Sequence, residues 1–227
     1  MWTLRSASAP VRCPRGLTGF LLQRSAQRRQ GRLADMSACL SKGWYRFAKH
    51  VPSPNFEARP SGVSTDLVVL HSISLPPGQF SGDAIEQFFT NTLDHDSHPY
   101  YEHLRGVKVS AHFLIRRGGE LIQFVSCDQR AWHAGVSTHA GRSNCNDFSI
   151  GIELEGIEGE TFSAYQYESL ISLLPMLLTQ YPISFIAGHE HIAPERKKDP
   201  GAGFIWRYLQ QGVGLKATYF PAELGLI

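Results

Sequence analysis

Two histidines and an aspartate have residue types and positions suited to binding a metal ion. His71 lies near the carboxyl end of an apolar segment, His189 directly follows another, and Asp199 comes ten residues after His189. Neutral imidazole and carboxylate groups suit Zn²⁺, and three protein ligands leave the fourth position of the ion open. The spacing matches none of the short zinc motifs, so strand-end histidines that simply hydrogen-bond to the backbone are an alternative.

Glu153 is a second candidate, because it interrupts an otherwise apolar strand pattern. A carboxylate inside an apolar strand costs free energy unless it is paired or faces a cleft. Gly151 projects to the same side of the strand and leaves space for another group to approach. Glu155 shares that side as well, so a strand face that is simply exposed to water explains the pattern equally well.

Lys197 is a third candidate, since it projects to the same side as Asp199 if that segment is extended. A lysine beside a carbonyl under attack can stabilise an oxyanion, and the alternative is a solvated basic turn. Other catalytic classes find little support. The sequence has no Gly-x-Ser-x-Gly motif, no family signature around a cysteine and no glycine-rich phosphate loop of the Walker or Rossmann type.

The hydrophobic pattern predicts the elements that must position these candidates. Apolar or alternating runs predict strands at 67–74, 148–154 and 184–188, and a hairpin formed by 111–117 and 120–126. Helical spacing predicts helices at 83–93, between Ser163 and Tyr181, and at 204–211, with 94–106 as a loop or short irregular helix. Ser163 and Gln166 have the spacing of a capping box. Strands and helices mixed on one core predict an α/β fold with a mixed central β-sheet flanked by helices.

Length and charge restrict the remaining function classes. The chain has 227 residues, of which 42% are hydrophobic and 19% are charged, as expected for a soluble protein with one main domain. No apolar run approaches the ~20 residues that a membrane span requires. Residues 36–227 carry 15 basic and 19 acidic residues, a net charge of −4, which argues against a nucleic-acid partner.

The first 35 residues differ in composition from the rest, with seven arginines and one acidic residue. This composition resembles an organelle transit peptide, and no sustained apolar core or cleavage site indicates a secretory signal. We expect 1–35 to be a disordered basic extension, or Met36 to be the real start, with 36–227 as a single catalytic domain. Four cysteines without paired spacing fit a reducing, cytoplasmic location.

Six segments resemble, in the same order, the zinc-dependent N-acetylmuramoyl-L-alanine amidases of the AmpD type. The resemblance covers about residues 40–210. It implies the fold of the phage-type amidases and peptidoglycan recognition proteins. The segments are KGWYRFAKHVPSPNF (42–56), LVVLHSISLPPGQF (67–80), KVSAHFLIRRGGELIQFV (108–125), RAWHAGVS (130–137), CNDFSIGIELEG (145–156) and GHEHIAPERKKDPG (188–201).

The resemblance also implies roles for the candidate residues. His71, His189 and Asp199 match the Zn²⁺ ligands of the family. Glu153 matches its catalytic carboxylate and Lys197 its catalytic lysine. His191 stands where the family uses no ligand, although it is the obvious rival for the metal. Ala111 replaces the catalytic tyrosine of the phage and recognition-protein branches, in agreement with the recycling branch.

Several substrate-binding positions carry over in the same way. Lys108, Val109, Ser110 and Ala111 match a strand that lines the peptide stem, and Trp132 matches a residue near the sugar. Lys108 and Asn144 stand where the family usually has basic residues, an arginine in the case of Lys108, that hold the diaminopimelate carboxylate. Lysine loses the bidentate geometry of arginine and asparagine loses the charge, which puts the stem-peptide preference in doubt.

The activity implied by the resemblance is hydrolysis of the amide bond between the lactyl group of 1,6-anhydro-N-acetylmuramic acid and L-alanine. Such an enzyme acts on a small muropeptide in cytoplasmic peptidoglycan recycling, and we expect a monomer that binds neither nucleic acid nor a membrane. Two alternatives are a secreted amidase that cuts intact peptidoglycan and a non-catalytic peptidoglycan-binding module. The filled ligand positions disfavour the binding module, and the absence of an evident signal peptide or wall-binding domain disfavours the secreted amidase.

Overall fold

The computed structural model describes residues 39–226, so the expectations for residues 1–35 and for Met36 lie outside the described part of the chain. The described strands are β1 (Leu40–Ser41), β2 (Trp44–Tyr45), β3 (Lys49–His50), β4 (Phe56–Ala58), β5 (Leu67–Ile73), β6 (Phe113–Ile115), β7 (Leu121–Gln123), β8 (Gln129–Ala131), β9 (Thr138–His139), β10 (Arg142–Ser143), β11 (Ser149–Glu155) and β12 (Phe185–Gly188). The α-helices are α1 (Ala84–Phe89), α2 (Ala164–Gln180), α3 (His189–Ile192) and α4 (Trp206–Val213). Short 3₁₀ helices span Pro99–Leu104, Cys145–Asp147, Ala217–Tyr219 and Ala222–Leu224.

A six-stranded mixed sheet in the order β12-β5-β11-β6-β7-β3 is the centre of the fold. Strands β12, β5, β11 and β6 run parallel, β7 is antiparallel to β6, and β3 is parallel to β7. The remaining strands pair in small ribbons, β1 with β2, β4 with β8 and β9 with β10. The predicted fold class, a mixed sheet flanked by helices, is confirmed.

The two central strands are buried on both faces, which explains their nearly continuous apolar sequences. All seven residues of β11 are buried, and so are the first five of β5. One face of the sheet packs against α2 and α4. Its core includes Val68, Leu70, Phe113, Ile150, Ile152, Leu154, Leu170, Leu173, Leu174, Leu177 and Leu209.

The opposite face of the sheet is covered by two smaller apolar clusters. The first contains α1 and includes Ile85, Phe88, Phe89, Leu114, Ile122 and Phe124. The second contains Leu67, Val69, Ala134, Cys145, Phe148, Ala187 and Ile192. His71 continues the side-chain row of Leu67 and Val69, because successive side chains of a strand alternate between faces. The candidate residues of β5 and β11 therefore lie on the face opposite the long helix α2.

Helix α2 begins at the predicted capping box and is tied directly to the sheet. The Ser163 hydroxyl accepts from the Gln166 backbone N–H at 3.2 Å, and the Gln166 side chain accepts from the Ser163 N–H at 3.0 Å. The Gln166 amide also donates to the backbone carbonyls of Ile115 and Glu155, at 3.1 and 3.0 Å. These bonds fix the start of the helix against the carboxyl ends of β6 and β11.

Glu155 belongs to a buried ion-pair network, so the hypothesis of a water-exposed face on β11 is wrong. Its carboxylate accepts from Arg116 at 2.7 Å and from the backbone N–H groups of Ser81 and Arg117, each at 3.0 Å. Arg116 also pairs with Glu86 of α1 at 2.9 Å. The second acid of the strand face thus has a structural role that joins α1 to the hairpin.

Element boundaries differ from the predictions mainly where tertiary contacts decide them. Helix α1 is shorter than the predicted 83–93, and α4 begins two residues after the predicted position 204. The predicted hairpin forms around Gly118 and Gly119, with paired segments shorter than predicted. Helix α3 follows β12 without a linker and was not predicted, because four residues are too few for a helical period to show in the sequence.

We predict that Glu155→Ala lowers the free energy of unfolding by about 3–5 kcal/mol, because it leaves the buried Arg116 without this partner. Chemical denaturation measures the change. Glu57→Ala is the matched control, since Glu57 pairs with Arg130 but its side chain is 56% exposed. A surface pair of this kind contributes about 0–1 kcal/mol, so equal losses in both variants would contradict the assignment.

Candidate metal centre

The carboxyl ends of three parallel strands bring the candidate residues to one edge of the sheet. His71 in β5 lies directly opposite Glu153 in β11, and His189 is the first residue after β12. This edge is where open α/β sheets commonly form their ligand sites. Register alone therefore makes His71 and Glu153 neighbours on one face, although 82 positions separate them in the sequence.

A short helix and a turn return the chain to place Asp199 beside His189. Helix α3 ends at Ile192, and the turn that follows is closed by the Lys197 N–H, which donates to the Ala193 carbonyl at 2.9 Å. The Glu190 N–H donates to the Asp199 carbonyl at 2.9 Å and fixes the returning segment. The ten positions from His189 to Asp199 thus correspond to one turn of helix and the turn that brings the chain back beside His189.

His71, His189 and Asp199 converge through three ligand atoms. The His71 and His189 Nδ1 atoms lie 3.0 Å apart, and each lies 3.2 Å from the Asp199 Oδ2 atom. Ligands about 2.0–2.1 Å from a tetrahedral ion lie about 3.3 Å apart, so the triangle has nearly the size that Zn²⁺ requires. In residues 39–226 this is the only cluster of its type that could hold a metal ion.

Hydrogen bonding leaves the His189 Nδ1 atom free to bind a cation. The opposite ring atom, Nε2, lies 3.0 Å from the Ala134 carbonyl oxygen. A carbonyl can only accept, so Nε2 carries the proton and Nδ1 keeps its lone pair. Arg196 also donates to the Ala134 carbonyl at 2.6 Å and to the Val136 carbonyl at 2.7 Å, which holds this loop against His189.

The protonation states of the triangle suit a cation site. Burial lowers the pKa of His71 to about 4, so its ring is neutral at neutral pH. Burial acts to raise the pKa of Asp199, but its contacts with His189 and His71 outweigh burial and hold the pKa well below its usual range. Two imidazole nitrogens and one carboxylate oxygen are a donor set that Zn²⁺ prefers.

Glu153 is buried beside this triangle without a hydrogen-bonding partner. Only 8% of the residue is exposed, and its Oε2 atom has no hydrogen bond within the described chain. Burial, with a smaller effect of the Asp199 charge, raises the pKa of Glu153 to about 8, and Lys197 acts in the opposite direction. A carboxyl group that titrates near neutral pH in a cavity can both accept and donate a proton.

The triangle, Glu153 and Lys197 line one cavity of about 330 Å³. The Lys197 ammonium group has no hydrogen bond or ion pair among residues 39–226, whereas the Lys198 ammonium group donates to the Pro194 carbonyl at 3.3 Å. Most of the remaining lining is apolar and includes Ile73, Leu75, Phe88, Phe89, Tyr100, Leu104, Val107, Val109 and Trp132. The Trp132 Nε1 atom is buried and has no acceptor, which leaves one donor free beside the cavity.

The structure brings three of the predicted substrate-binding residues to this cavity, namely Val109, Ser110 and Trp132. The Ser110 hydroxyl already donates to the Asn55 carbonyl at 2.6 Å and accepts from the Trp132 N–H at 3.0 Å. Ala111 is fully buried in the apolar cluster that contains α1. Neither Lys108 nor Asn144 is among the lining residues of the cavity, and both are exposed.

The backbone conformation of Asn144 gives a second explanation for an asparagine at this position. Its φ of 56° lies in the left-handed region, at the residue that begins the 3₁₀ helix Cys145–Asp147. Asparagine tolerates this region better than most residues do.

His191, the rival for His189, lies away from the ligand triangle. Its Nδ1 atom accepts from the Gly188 N–H at 2.9 Å, and its ring contacts Trp206 with 5.5 Å between centroids. These contacts place His191 at the start of α3 and against the main core. His191 is only two positions after His189, but the helical backbone of α3 directs the two imidazoles to different sides.

Sequence reasoning missed His133 and Arg196, which touch the two candidate metal-binding histidines. The His133 Nδ1 atom lies 2.9 Å from the His71 Nε2 atom, on the side of the ring away from the triangle. Arg196 reaches the loop that contacts His189. The signal for His133 was Gly151, since the predicted space above that glycine is filled by the His133 ring.

The half-buried Arg59 and the buried His112 contact each other beside this region, and sequence reasoning missed both. Arg59 donates to the backbone carbonyls of Asn146, Asp147, Cys127 and Ser149, at 2.8–3.1 Å. Burial lowers the pKa of His112 to about 3, and Arg59 adds to this effect. The His112 Nδ1 atom accepts from the Gly151 N–H at 2.9 Å, which fixes β11 beside the candidate site.

No helix within residues 39–226 has the length and apolar character needed to span a membrane.

The fold and the site together define an α/β protein with a buried two-histidine, one-aspartate cluster beside a free carboxyl group. A family model described as N-acetylmuramoyl-L-alanine amidase matches residues 61–202. The chain belongs to this family and is an N-acetylmuramoyl-L-alanine amidase.

Individual relatives agree with this assignment. The 1,6-anhydro-N-acetylmuramyl-L-alanine amidase AmpD of Citrobacter freundii is 50% identical over 169 residues, which are 74% of this chain and 90% of the relative. A crystal structure of a selenomethionine AmpD derivative matches with a TM-score of 0.75 and 49% identity, covering 77% of this chain and 98% of that chain. The amidase AmiD of Escherichia coli, in complex with the substrate anhydro-N-acetylmuramic acid-L-Ala-D-γ-Glu-L-Lys, matches with a TM-score of 0.50 and 28% identity, covering 70% and 62%.

We predict that Glu153→Gln stabilises the metal-free protein more at pH 8 than at pH 5. The folded protein keeps the Glu153 proton up to about pH 8, whereas the ordinary value of this pKa is 4.5. Between these values the folded state binds more protons than the unfolded state, so stability falls as pH rises. Each unit of difference corresponds to about 1.4 kcal/mol, and the variant should recover up to a few kcal/mol.

Thermal denaturation of the metal-free wild type and variant across pH 5–8, roughly this window, measures the difference. Glu120→Gln is the control, because Glu120 is exposed at the hairpin turn. A constant stability difference between wild type and Glu153→Gln over the whole pH range would show that Glu153 has no raised pKa.

Proposed function

We propose that this protein is a zinc-dependent amidase that hydrolyses the bond between the lactyl group of 1,6-anhydro-N-acetylmuramic acid and L-alanine in small muropeptides. The observation that carries the proposal is the convergence of the three ligand atoms of His71, His189 and Asp199 beside the unpaired carboxyl group of Glu153. Relatives about half identical to this chain bear this activity in their names. We place the reaction in cytoplasmic peptidoglycan recycling.

Zn²⁺ is the ion that the donor set fits best. His71 and His189 would bind it through Nδ1 and Asp199 through Oδ2, since these atoms face one another without intervening side chains. Zinc accepts this mixture of imidazole and carboxylate ligands in sites that keep one position open. When bound, the ion supplies a Lewis acid that polarises the amide carbonyl and makes a water molecule acidic enough to attack it.

Glu153 is the group that moves protons in this proposal. Its carboxylate accepts a proton from the attacking water and returns it to the amine of the leaving L-alanine. In the metal-free site the pKa of about 8 keeps both protonation states of Glu153 accessible near neutral pH, which supports its assignment to proton transfer. Lys197 donates to the oxygen that gains negative charge, and its ammonium group has no competing partner in the described residues.

The walls of the cavity support the binding of a sugar and a short peptide. Trp132 presents a large apolar ring and a free Nε1 donor beside the candidate site, which suits an N-acetylated sugar. Val109 and Ser110, which line the cavity, are the proposed contacts of the peptide stem, whereas Ala111 is buried behind them and would not touch it. Lys108 and Asn144 are the proposed contacts of the diaminopimelate carboxylate, which they would hold less firmly than basic residues with an arginine at position 108.

Organisation and location complete the proposal. Residues 36–227 would act as one catalytic domain and as a monomer, with residues 1–35 outside the chemistry. The net charge of −4 in that domain supports a small substrate in place of a nucleic acid. A secreted amidase for intact peptidoglycan is the alternative function, and it differs in requiring access for a glycan strand rather than for one muropeptide.

We predict that the purified protein releases free tripeptide and anhydro-sugar from 1,6-anhydro-N-acetylmuramyl-tripeptide, as detected by mass spectrometry. A chelator should abolish release and added zinc should restore it. Glu153→Gln should retain zinc but turn over about 10²–10⁴ times more slowly, the usual contribution of a general acid–base group. Glu120→Gln should match the wild type. No release by zinc-loaded wild type would refute the proposal, and release only from intact peptidoglycan would favour the secreted alternative.

We predict that Lys197→Ala lowers kcat with little change in KM, whereas Lys198→Ala leaves both unchanged. The reason is that Lys197 faces the cavity, while Lys198 hydrogen-bonds to the Pro194 carbonyl outside it. Removal of one oxyanion donor reduces kcat by about 10²–10³ in other enzymes. Steady-state kinetics of the two neighbouring variants tests the role, and equal effects in both would argue for a general charge effect instead.

A further inference from the structure

His133 occupies a space that the sheet leaves open for it. The imidazole ring lies over Gly151 of β11, where a Cβ atom would come within 2.4 Å of His133 Cγ and 2.6 Å of Nδ1. Real Cβ atoms do not approach other atoms this closely, so any other residue at 151 would displace the ring. Ser149 and Glu153 project from the same strand face on either side of Gly151.

Hydrogen bonds fix the direction in which the His133 ring donates and accepts. The Ser149 hydroxyl lies 2.6 Å from the Cys145 carbonyl, which can only accept, so the single hydroxyl proton points to that carbonyl. The Ser149 Oγ atom must then accept from the His133 Nε2 atom, 3.1 Å away. The proton of a neutral His133 is therefore on Nε2.

This direction continues to the candidate metal ligand. With its proton on Nε2, His133 keeps a lone pair on Nδ1, which lies 2.9 Å from the His71 Nε2 atom. His71 must donate that hydrogen bond, so its own lone pair is on Nδ1, the atom that belongs to the ligand triangle. In the described chain no carboxylate lies within hydrogen-bonding distance of His133, so nothing there balances a charged ring.

We propose that His133 is a positioning residue that selects the tautomer and orientation in which His71 presents Nδ1 to a bound zinc ion. The inference rests on the zinc site of the proposed function and adds a residue that acts only through His71. Both nitrogen atoms of His133 are occupied by Ser149 and His71, so it is neither a ligand nor a proton carrier for the substrate.

The backbone beside His133 performs the equivalent task for the second histidine. The Ala134 carbonyl accepts from His189 Nε2 at 3.0 Å and thereby frees the His189 Nδ1 atom. The Asn146 side chain accepts from the N–H groups of both His133 and Ala134, at 3.1 and 2.8 Å. One short segment, His133–Ala134, thus orients both histidines of the triangle and is itself fixed by one buried side chain.

The test compares His133→Leu with His133→Asn. Leucine removes the acceptor for the His71 N–H. In the asparagine variant, the Oδ1 atom lies near the position of the former His133 Nδ1 atom and so still provides an acceptor. Loss of such a partner lowers metal affinity about 10–100-fold, so we expect that loss in His133→Leu and a clearly smaller one in His133→Asn. Competition with a chromophoric chelator measures zinc affinity in the full-length protein.

A second readout needs neither zinc nor activity. Nitrogen-15 NMR of the metal-free protein reports the tautomer of each histidine. We expect the His71 proton on Nε2 in the wild type and a mixture of tautomers in His133→Leu. His50→Leu is the matched control, because His50 is exposed on the edge strand β3 and should change neither measurement.

Each result decides the inference. Wild-type zinc affinity and tautomer in His133→Leu would overturn it, and so would equal losses in the leucine and asparagine variants, which would indicate packing alone. If the wild type bound no zinc, the proposed function would fail while the tautomer measurement still decided the role of His133. Should His133→Leu lose its native circular dichroism, Ser149→Ala replaces it, because that variant removes the acceptor of the His133 Nε2 proton and keeps the ring. A wild-type His71 tautomer in Ser149→Ala would then refute the inference.

Discussion

The rest of this structure depends on holding three electron-rich atoms within 3.0–3.2 Å of one another where little water can reach them. Two imidazole lone pairs and a carboxylate oxygen repel each other unless a proton or a cation lies between them. Flexible side chains would rotate apart to relieve that repulsion. Each ring must therefore be held from its far side, and both are, by His133 and by the Ala134 carbonyl.

The sheet supplies the rigid platform that this arrangement requires. Parallel register places His71 beside Glu153 without any loop between them, and β12 delivers His189 to the same edge. The apolar core under α2 and α4 packs on the opposite face and so stabilises the strands without occupying the site. Only Asp199 and Lys197 come from a turn, and the bond from the Glu190 N–H fixes that turn at its base.

Patterns within one element could be predicted from the sequence, whereas contacts between distant elements could not. The strands that hold His71 and Glu153 were predicted almost to the residue, because their side chains alternate or are continuously apolar. The capping box of α2 was also predicted, since it is a local pair. In contrast, the partner of Glu155 is Arg116, and no periodicity links an acid on one strand to a base on the hairpin. The ring that fills the space above Gly151 belongs to a loop, so the sequence indicated the space but not its occupant.

The pKa values of two carboxyl groups in one buried site are shifted in opposite directions, and this difference suits them to the different roles proposed for them. Contacts with His71 and His189 hold the pKa of Asp199 well below its usual range, so it is ionised and suits a cation. Glu153 has no such contacts, and burial together with the charge of Asp199 raises its pKa. Environments that separate the pKa values of neighbouring acids are how a site assigns one to binding and the other to proton transfer. Burial is common to both groups, so it is the two neighbouring histidines, positioned by β5 and β12, that separate the two pKa values.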